Sequence, residues 1–273
     1  MTPFDREVAA RLCAARAGLR IDPDKAYLLE SRLAPVARRE GFASLGELMQ
    51  VVRDRGEERL VWAVVEAMAV SESGFFRDPE VFDALVAETL PALVRARGDQ
   101  PVRIWNAACG TGQEVFSLAM LLEEDPALGA RVELFASDLN ERSLEKAQAG
   151  LYSQFEVQRG LPARRLLRHF EKRDEMFALS PRVRQMVRWR RVNLTEDLGR
   201  MGGFDLILCR HVAGGLTEAA RVSVLKSLAG LLDPGGVLVL GRSETLEGVR
   251  TALSALAGRP GLFAHPEAVR AAA

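Results

Sequence analysis

The sequence predicts an α/β protein, with a helical N-terminal part followed by a doubly wound, mostly parallel sheet. Two observations support this fold class. Residues 1–70 carry apolar side chains at helical spacing and contain no convincing strand. Beyond residue 100, short apolar strands alternate with helical stretches, which is typical of a parallel sheet that helices cover on both faces.

The helical part is expected to contain three amphipathic or apolar helices. They are predicted over 4–18, 24–40 and 58–70. A fourth helix is expected near 79–96, after the stretch S-E-S-G-F-F-R at 71–77. We therefore predict a helical N-terminal domain over 1–75 and an α/β domain over 76–273.

The α/β part is expected to contain four strands and three helices. The strands are predicted at 102–106, 132–137, 204–209 and 236–241. The helices are predicted at 113–124, 141–149 and 217–232. Residues 151–192 interrupt this alternation, and possible short strands at 176–179 and 183–192 indicate a small inserted β-subdomain there.

Charge is balanced over the chain but uneven along it. Lys and Arg together number 37, as do Asp and Glu, so no excess points to nucleic acid or an anionic membrane. Between Arg159 and Arg191, however, ten Arg and one Lys stand against three acidic residues, a net charge of +8. Such a run is either a solvated surface or a docking site for an acidic partner, and the sequence leaves both open.

The cysteines and histidines do not indicate a disulfide framework or a metal centre. Cys13, Cys109 and Cys209 are odd in number and far apart, which favours a reducing compartment. No Cys/His spacing resembles a metal site, so no metal is expected. The N-terminus lacks a signal-peptide pattern, and no run of ~18 uncharged apolar residues occurs. We therefore expect a cytoplasmic protein without membrane insertion.

The stretch R-I-W-N-A-A-C-G-T-G-Q-E at 103–114 predicts a cofactor site. An apolar strand runs into Gly110-Thr111-Gly112, and a helix begins directly afterwards. Glycines at such a turn let the backbone approach a ligand, and the helix N-terminus offers unpaired N–H groups. The dinucleotide fingerprint needs a third glycine where this chain has Val115, so the turn fits S-adenosylmethionine better than NAD.

Two carboxylates accompany this turn. Asp138 follows the second strand, where a carboxylate can accept hydrogen bonds from both hydroxyls of a ribose; the alternative is that it caps the next helix. Glu114 lies in the first helical turn, where it complements the helix dipole and can also meet the cationic amino group of the methyl donor. The D-P-G-G stretch at 233–236, read as a turn between a helix and an apolar strand, further favours methyl transfer.

Several segments, taken in order, resemble the chemotaxis-receptor glutamate methyltransferases of the CheR type. S-E-S-G-F-F-R at 71–77 resembles the family's N-E-T-x-F-F-R, and 103–114 resembles R-x-W-S-A-A-C-S-T-G-E-E. F-D-L-I-L-C-R-H-V at 204–212 and L-D-P-G-G-V-L-V-L-G-R-S-E at 232–244 complete the series. Shorter matches lie between them: G-L-Y at 150–152, R-H-F at 168–170 and V-N-L at 192–194.

The resemblance implies a fold, a cofactor and a set of site residues. The fold is a Rossmann-like class I methyltransferase domain with a helical N-terminal domain and a small β-subdomain inserted at about 151–192. The cofactor is S-adenosyl-L-methionine, which leaves as S-adenosyl-L-homocysteine. The implied donor-binding residues are Ser71, Ser73, Arg77, Glu114, Asp138, Asn193, Leu194, Cys209 and Arg210. Of these, Arg77 and Arg210 are also expected to be catalytic by orienting the reactants, since guanidinium forks suit carboxylates.

The resemblance also implies the substrate: glutamate side chains on the cytoplasmic helical region of a chemoreceptor or chemoreceptor-like protein, which become methyl esters. Such helices are acidic and would suit basic side chains in the N-terminal helices. These are Arg11, Arg16, Arg20, Lys25, Arg32, Arg38 and Arg39. An ordinary solvated helix face remains the alternative for each of them.

The chain departs from the family pattern near the expected reaction centre. The usual C-R-N-V-x-I-Y-F becomes C-R-H-V-A-G-G-L, so His211 replaces Asn and Gly215 replaces a Tyr, while Ser71 replaces the Asn of N-E-T. We expect a slow but active enzyme; the alternative is a degenerate S-adenosylmethionine-binding regulator with little or no turnover. No glycine occurs between Gly160 and Gly199, so the glycine-rich loop of relatives that tether to a receptor tail is not expected.

Two other enzyme classes fit the sequence less well. An RNA methyltransferase could use the +8 run, but the chain lacks an N-P-P-Y-like motif and clear aromatic interleaving for base stacking. A nicotinamide-dependent dehydrogenase is disfavoured by the missing third glycine. We therefore expect no nucleic-acid partner.

Overall fold

A computed structural model describes residues 1–22, 24–69 and 73–266. Its N-terminal part is a bundle of four helices. They are α1 (Pro3–Ala17), α2 (Ala26–Arg39), α3 (Leu45–Arg55) and α4 (Glu58–Met68). The three helices predicted for this part are confirmed as α1, α2 and α4.

Helix α3 was not predicted, although both of its ends carry capping signals. The Ser44 hydroxyl accepts a hydrogen bond from the Glu47 amide at 3.1 Å, and Gly56 ends the helix at φ 59°. Leu48 and Met49 are fully buried in the apolar core that all four helices share. Packing therefore stabilises a helix of only 11 residues, which would be marginal in isolation.

The helix expected near 79–96 is present but irregular. It runs as α5 (Pro79–Ala84), a π-helical turn (Leu85–Thr89) and α6 (Leu90–Arg97). Pro91 has no N–H to donate, and it lies at the start of α6 directly after the wider turn. Because Leu85 and Leu90 are both fully buried, the irregular turn still packs on the core of the α/β part.

The rest of the chain contains two sheets. Their strands are β1 (Val102–Ala107), β2 (Val132–Asp138), β3 (Leu151–Ser153), β4 (Phe170–Arg173), β5 (Met176–Leu179), β6 (Val187–Arg191), β7 (Phe204–Cys209), β8 (Leu232–Leu240), β9 (Ser254–Ala255) and β10 (Leu262–Ala264). The helices between them are α7 (Gln113–Glu124), α8 (Pro126–Gly129), α9 (Glu141–Ala149), α10 (Gln154–Gln158), α11 (Ala163–His169), α12 (Pro181–Arg184) and α13 (Glu218–Gly230).

The large sheet has seven strands in the order β6-β2-β1-β7-β8-β10-β9. Its first five strands are parallel, and β10 is antiparallel to both of its neighbours. The predicted fold class, a doubly wound α/β domain behind a helical N-terminal part, is confirmed.

Each face of the large sheet is covered by its own apolar core. Along β1, Ile104 packs in the cluster that contains Phe116 of α7, whereas Trp105 packs in the cluster that contains Leu228 of α13. All four side chains are almost completely buried. The two cores fix the parallel strands so that their carboxyl ends meet at one edge, where open α/β sheets bind ligands.

The small sheet has the order β3-β5-β4 and is antiparallel throughout. The strand expected at 176–179 is β5, in the middle of this sheet. The placement of the strand expected at 183–192 is wrong, because it is β6 and pairs in parallel with β2 at the edge of the large sheet. Edge strands tolerate charged side chains, and the Arg-rich composition of β6 made it look like part of an irregular insert.

The D-P-G-G stretch is not the turn between helix and strand that the sequence predicts. Helix α13 ends at Gly230, and 233–236 forms a bulge inside β8, with Gly235 at φ 83°. Asp233 in this bulge forms an ion pair with Arg97 of α6. The stretch 233–236 therefore forms a local bulge and also contributes a long-range ion pair to α6.

Within residues 1–22, 24–69 and 73–266, none of the helices combines the length and the apolar character needed to cross a lipid bilayer. Over the same residues, no three or more His, Cys, Asp and Glu side chains are arranged to hold a metal ion. The three cysteines are buried and carry free thiols.

Candidate functional site

A cavity opens at the carboxyl ends of β1, β2 and β7. The residues that follow these strands line it on one side, and the connection between α1 and α2, residues 17–21, lines it on the other. The predicted site residues in its wall are Ser73, Arg77, Glu114, Asp138, Asn193, Leu194 and Arg210. Ser71 lies outside the described residues. The fold thus brings these seven residues, which lie in separate segments of the sequence, to one cavity.

The glycine turn after β1 has the backbone that only small or strained residues adopt. Ala108, Gly110 and Gly112 all have left-handed φ values, of 53°, 57° and 87°. A Cβ atom on Gly112 would lie 2.9 Å from the Cβ of Ala147, so packing against α9 also requires glycine there. The turn leads directly into α7, whose residue Glu114, in the first helical turn, lines the cavity.

Asp138 is a buried carboxylate held in place by the turn. Its Oδ2 accepts a hydrogen bond from the Gly110 amide, and its Oδ1 accepts one from the Asn140 amide, both at 2.8 Å. Burial raises the pKa of Asp138, and the amide hydrogen bonds oppose that rise. The alternative role as a helix cap is wrong, because α9 is capped by Asn140 instead.

Arg210 forms the centre of a buried ion-pair network. Its side chain is fully buried, with Nη1 2.5 Å from Glu114 Oε2 and Nη2 2.5 Å from Asp78 Oδ2. It also donates to the Arg77 carbonyl at 3.0 Å, and Asn106 donates to the other oxygen of Glu114 at 2.9 Å. Both ends of the guanidinium fork therefore engage protein carboxylates, which suits positioning Glu114 better than orienting an acceptor.

Two buried polar atoms in this network have no hydrogen-bond partner among the described residues. They are Asn106 Oδ1 and Arg210 Nε. Buried polar atoms are usually paired, so an unpaired acceptor beside the Glu114 carboxylate fits a ligand that brings its own donors. S-adenosylmethionine carries such donors: its cationic amino group would lie beside Glu114 and Asn106, and its ribose hydroxyls would lie near Asp138. The residues present therefore fit S-adenosylmethionine.

Of the two cysteines near the site, the one predicted to bind the donor does not line the cavity. Cys209, predicted to bind the donor, is fully buried at the end of β7 and does not line the cavity, whereas Cys109 does. Burial raises the pKa of both thiols, so neither is a ready nucleophile. Cys209 packs in the core that contains Leu228 of α13, and its position in the motif does not reveal this.

Asn193 uses its side chain to join the two parts of the protein. Its side-chain amide nitrogen, Nδ2, donates to the carbonyl of Arg16, near the end of α1, at 2.7 Å. Its Oδ1 accepts from the Thr195 hydroxyl at 2.8 Å. The side chain of Asn193 therefore anchors the N-terminal helix, and Asn193 and Leu194 both line the cavity.

The loop after Arg210 is held by the carboxylate of Glu244, which was not among the predicted site residues. Glu244 accepts hydrogen bonds from the amides of His211, Ala213 and Gly241 at 2.7–2.8 Å. Burial, followed by the positive charges of neighbouring arginines, lowers the pKa of His211. Glu244 closes the matched segment G-R-S-E, which was the available signal for its importance.

Removing the Glu244 carboxylate is expected to loosen this loop. In Glu244→Ala, amide hydrogen exchange at His211 and Ala213 should rise by about tenfold or more, because each amide loses a charged acceptor. Mass spectrometry of peptic fragments measures this exchange. Glu247→Ala, which removes an exposed carboxylate nearby, is the control, and equal exchange in both variants would contradict the role of Glu244.

Left-handed backbone conformations cluster around the cavity. Of the five non-glycine residues with positive φ in the described ranges, four lie at the site: Phe76, Asp78, Ala108 and His211. Phe76 and Asp78 flank Arg77, so the backbone on both sides of this arginine is held in an uncommon conformation. Strain of this kind is typical of functional sites, where surrounding contacts maintain it.

The wall opposite the strands is tied down by backbone hydrogen bonds. The Arg20 amide donates to the Gly215 carbonyl, and the Thr217 amide donates to the Gly18 carbonyl, both at 2.8 Å. A Cβ on Gly18 would lie 2.4 Å from that of Ala220, so this close approach requires glycine. The connection between α1 and α2 is therefore an integral part of the site.

Comparison with known proteins identifies the family to which this site belongs. The SAM-binding domain of CheR methyltransferases matches residues 71–261, and the all-alpha domain of the same enzymes matches residues 7–68. The chain belongs to the CheR methyltransferase family. S-adenosylmethionine is accordingly its cofactor, and the resemblance seen in the sequence is confirmed.

Relatives in this family match nearly the whole chain. Chemotaxis protein methyltransferase 1 of Pseudomonas aeruginosa is 36% identical over 253 residues, covering 90% of this chain and 92% of its own. Chemotaxis protein methyltransferase of Vibrio parahaemolyticus is 34% identical over 260 residues, covering 93% and 94%. The chain therefore spans more than nine tenths of the length of each of these two relatives.

The basic run between 159 and 191 is partly neutralised by acidic residues of neighbouring elements. Its ion pairs are Arg165–Glu124, Arg168–Glu123, Arg182–Glu123, Arg188–Glu133 and Arg191–Glu66. Two of the acidic partners lie at the end of α7 and join the insert to the helix that begins at the glycine turn. Half of the ten arginines in the run are thus used in ion pairs with neighbouring elements, which weakens the interpretation of the run as a docking site.

Most of the basic side chains in the N-terminal helices are paired as well. Their ion pairs are Arg11–Glu7, Arg16–Glu58, Lys25–Asp22 and Arg39–Glu40. Arg20 and Arg32 differ, because both line the cavity and neither has a carboxylate within ion-pair distance in the described part of the chain. Arg38 is exposed and does not line the cavity, so among the described residues of the N-terminal part the unpaired positive charge that borders the site is that of Arg20 and Arg32.

Proposed function

We propose that this CheR-family protein is a protein carboxyl methyltransferase that forms methyl esters on glutamate side chains of chemoreceptor-like signalling proteins. The partner is the cytoplasmic helical region of such a receptor, and the enzyme acts in the cytoplasm. The chemotaxis names of the relatives support this proposal. The observation that carries it is the buried Asp138, fixed by two amides at the glycine turn beside a cavity whose rim is cationic.

The reaction needs no general base. S-adenosylmethionine supplies an electrophilic methyl group; a carboxylate oxygen of glutamate bonds to its carbon while the carbon–sulfur bond breaks, and the electron pair stays on sulfur. A glutamate with a pKa near 4.3 is already ionised at neutral pH. The chain's residues therefore have to bind, orient and desolvate the reactants, which can lower the barrier by roughly 7–11 kcal/mol.

We assign the binding of the donor and the orientation of the reactants to different residues. Asp138 would hold the ribose, and Glu114, positioned by Arg210 and Asn106, would hold the amino group of the donor. The remaining donor contacts are assigned to Ser71, Ser73, Arg77, Leu194 and the backbone of Asn193. Arg77 at the cavity wall remains the proposed catalytic orienting group from the matched F-F-R segment, while Arg210 acts through Glu114. The raised thiol pKa values agree with a reaction that forms no covalent enzyme intermediate.

A regulatory protein that binds the donor without turnover is the alternative. It is favoured by Gly214 and Gly215, which leave the rim without side chains where relatives of this type carry an aromatic residue. Tritium-labelled methyl transfer to cytoplasmic chemoreceptor fragments from the same genome decides between the two. Base-labile label on glutamate supports the enzyme, whereas its absence, with S-adenosylhomocysteine binding retained in calorimetry, supports the regulator.

Restoring the aromatic residue with Gly215→Tyr is expected to raise kcat by about fivefold, the gain from one orienting hydrogen bond. The position can accept it, because Gly215 does not have a left-handed φ and a Cβ there meets nothing within 4 Å. Labelled methyl transfer under saturating donor measures the change.

Gly230→Tyr is the matched control for this prediction. Its Cβ also meets nothing within 4 Å and its φ is not left-handed, but Gly230 ends α13 and does not line the main cavity. Its kcat should stay within twofold of wild type. An equal response of the two variants would mean that the open rim does not limit the reaction.

A further inference from the structure

We infer that Arg20 binds the acceptor carboxylate. This inference rests on the proposed function and specifies how that function selects its substrate. Arg20 lies in the connection between α1 and α2 and is exposed. It contacts the same loop that carries Gly214 and Gly215, and none of the family motifs in the sequence includes it.

The geometry holds Arg20 at the rim of the site. Its amide donates to the Gly215 carbonyl at 2.8 Å, and its Nη2 donates to the Gly214 carbonyl at 2.8 Å. The residue lines the main cavity and also the adjoining hollow that Lys25 and Leu28 help to form. The guanidinium therefore lies where a side chain entering from solvent would approach the donor.

The charge balance of the site leaves this guanidinium available. Arg210, the residue first expected to orient the acceptor, is fully buried and paired with Glu114 and Asp78. Lys25, next to Arg20 in the adjoining hollow, lies 3.8 Å from Asp22. Arg20 makes no carboxylate contact within the described residues, and a guanidinium carries five N–H donors, of which the Gly214 contact uses one.

The backbone of the loop at 214–215 holds this contact in place. The Arg20 guanidinium lies against the Gly214 carbonyl, and a Cβ on either glycine would meet nothing within 4 Å, so the loop leaves open space beside the guanidinium. A forked donor there can hold one face of a glutamate carboxylate and leave a lone pair of one oxygen free to attack. Methylation then removes the negative charge, so the ester product loses the same contact and dissociates more readily.

Binding measurements on charged and neutral acceptors test this inference. The probe is a cytoplasmic chemoreceptor fragment from the same genome, prepared as it is and with its glutamates replaced by glutamine. Calorimetry is performed on the enzyme saturated with S-adenosylhomocysteine. Arg20→Ala is expected to weaken binding of the glutamate fragment by about tenfold, to leave binding of the glutamine fragment unchanged, and to leave the Kd of S-adenosylhomocysteine unchanged.

Two further variants sharpen the comparison. Arg20→Lys keeps the charge without the fork and should recover part of the lost affinity. Arg11→Ala removes an exposed arginine on α1 that pairs with Glu7, and it should change nothing if general electrostatics are not the cause.

The possible outcomes separate this inference from the proposed function. Equal weakening on both fragments, no weakening, or a wild-type enzyme that does not distinguish the fragments would overturn the role of Arg20. A wild-type enzyme that methylates no fragment refutes the proposed function instead. In that case the selective loss in Arg20→Ala still decides whether this residue binds an acceptor carboxylate.

Discussion

Replacing Arg210 with methionine is expected to lower the free energy of unfolding by about 3–5 kcal/mol. The Arg210 side chain is fully buried and neutralises two carboxylates, those of Glu114 and Asp78. Methionine is apolar and leaves both carboxylates without their cation, which is the costly way to break a buried ion pair. Urea unfolding followed by circular dichroism should show a lower midpoint with an unchanged slope.

Arg242→Met is the matched control for Arg210→Met. Arg242 pairs with Glu80 at the surface, where such pairs contribute about 0–1 kcal/mol. Adding Asp78→Asn and Glu114→Gln to Arg210→Met should recover part of the lost stability, because the unpaired charges are removed. If Arg210→Met costs no more than the control, the ion-pair network does not stabilise the site as described.

Replacing Asp138 with alanine is expected to weaken binding of S-adenosylhomocysteine by about 100-fold or more. Hydrogen bonds to a charged group contribute about 1.5–3 kcal/mol each, and two ribose hydroxyls would lose their acceptor. The carboxylate is fixed in advance by the amides of Gly110 and Asn140, so little entropy is lost on binding. Isothermal titration calorimetry measures the change directly.

The controls for Asp138→Ala separate lost contacts from a disturbed turn. Asp138→Asn keeps one oxygen acceptor and should fall between wild type and alanine. Glu145→Ala, on the exposed face of α9, should bind as wild type does. Thermal melting of each variant reports on folding, and an Asp138→Ala protein that folds and binds S-adenosylhomocysteine normally would refute the assignment of Asp138.

The elements that sequence patterns predicted well are those in which local periodicity and burial agree. β1 and β7 are mostly apolar, with Arg103, Asn106 and Asp205 as the exceptions, because both of their faces are covered. Helix α9 runs from a cap at Asn140 to a left-handed Gly150. The failures have long-range causes. β6 looked like part of an insert because its partner β2 lies about 50 residues earlier in the chain, and the bulge in β8 carries an ion pair to α6.

In the site, as in the fold, residues with a local sequence signature were predicted and long-range contacts were not. Motifs predicted Glu114 and Asp138, since a strand-to-helix turn and the end of the next strand have local signatures. They did not predict that Arg210 is enclosed by two carboxylates or that Glu244 holds three amides. Those contacts join residues from separate elements, so only the fold brings them together.

The hydrogen bonds of residues 18–20 to the loop at 215–217 have a consequence for how the family is divided into domains. The two family matches separate at residues 68 and 71, yet the cavity is lined from both sides of that division. The all-alpha part therefore supplies a wall of the cavity that we propose as the methyl-donor site. Exchanging the N-terminal part between relatives is accordingly expected to alter donor affinity, although all the family motifs of the donor site lie in the other part.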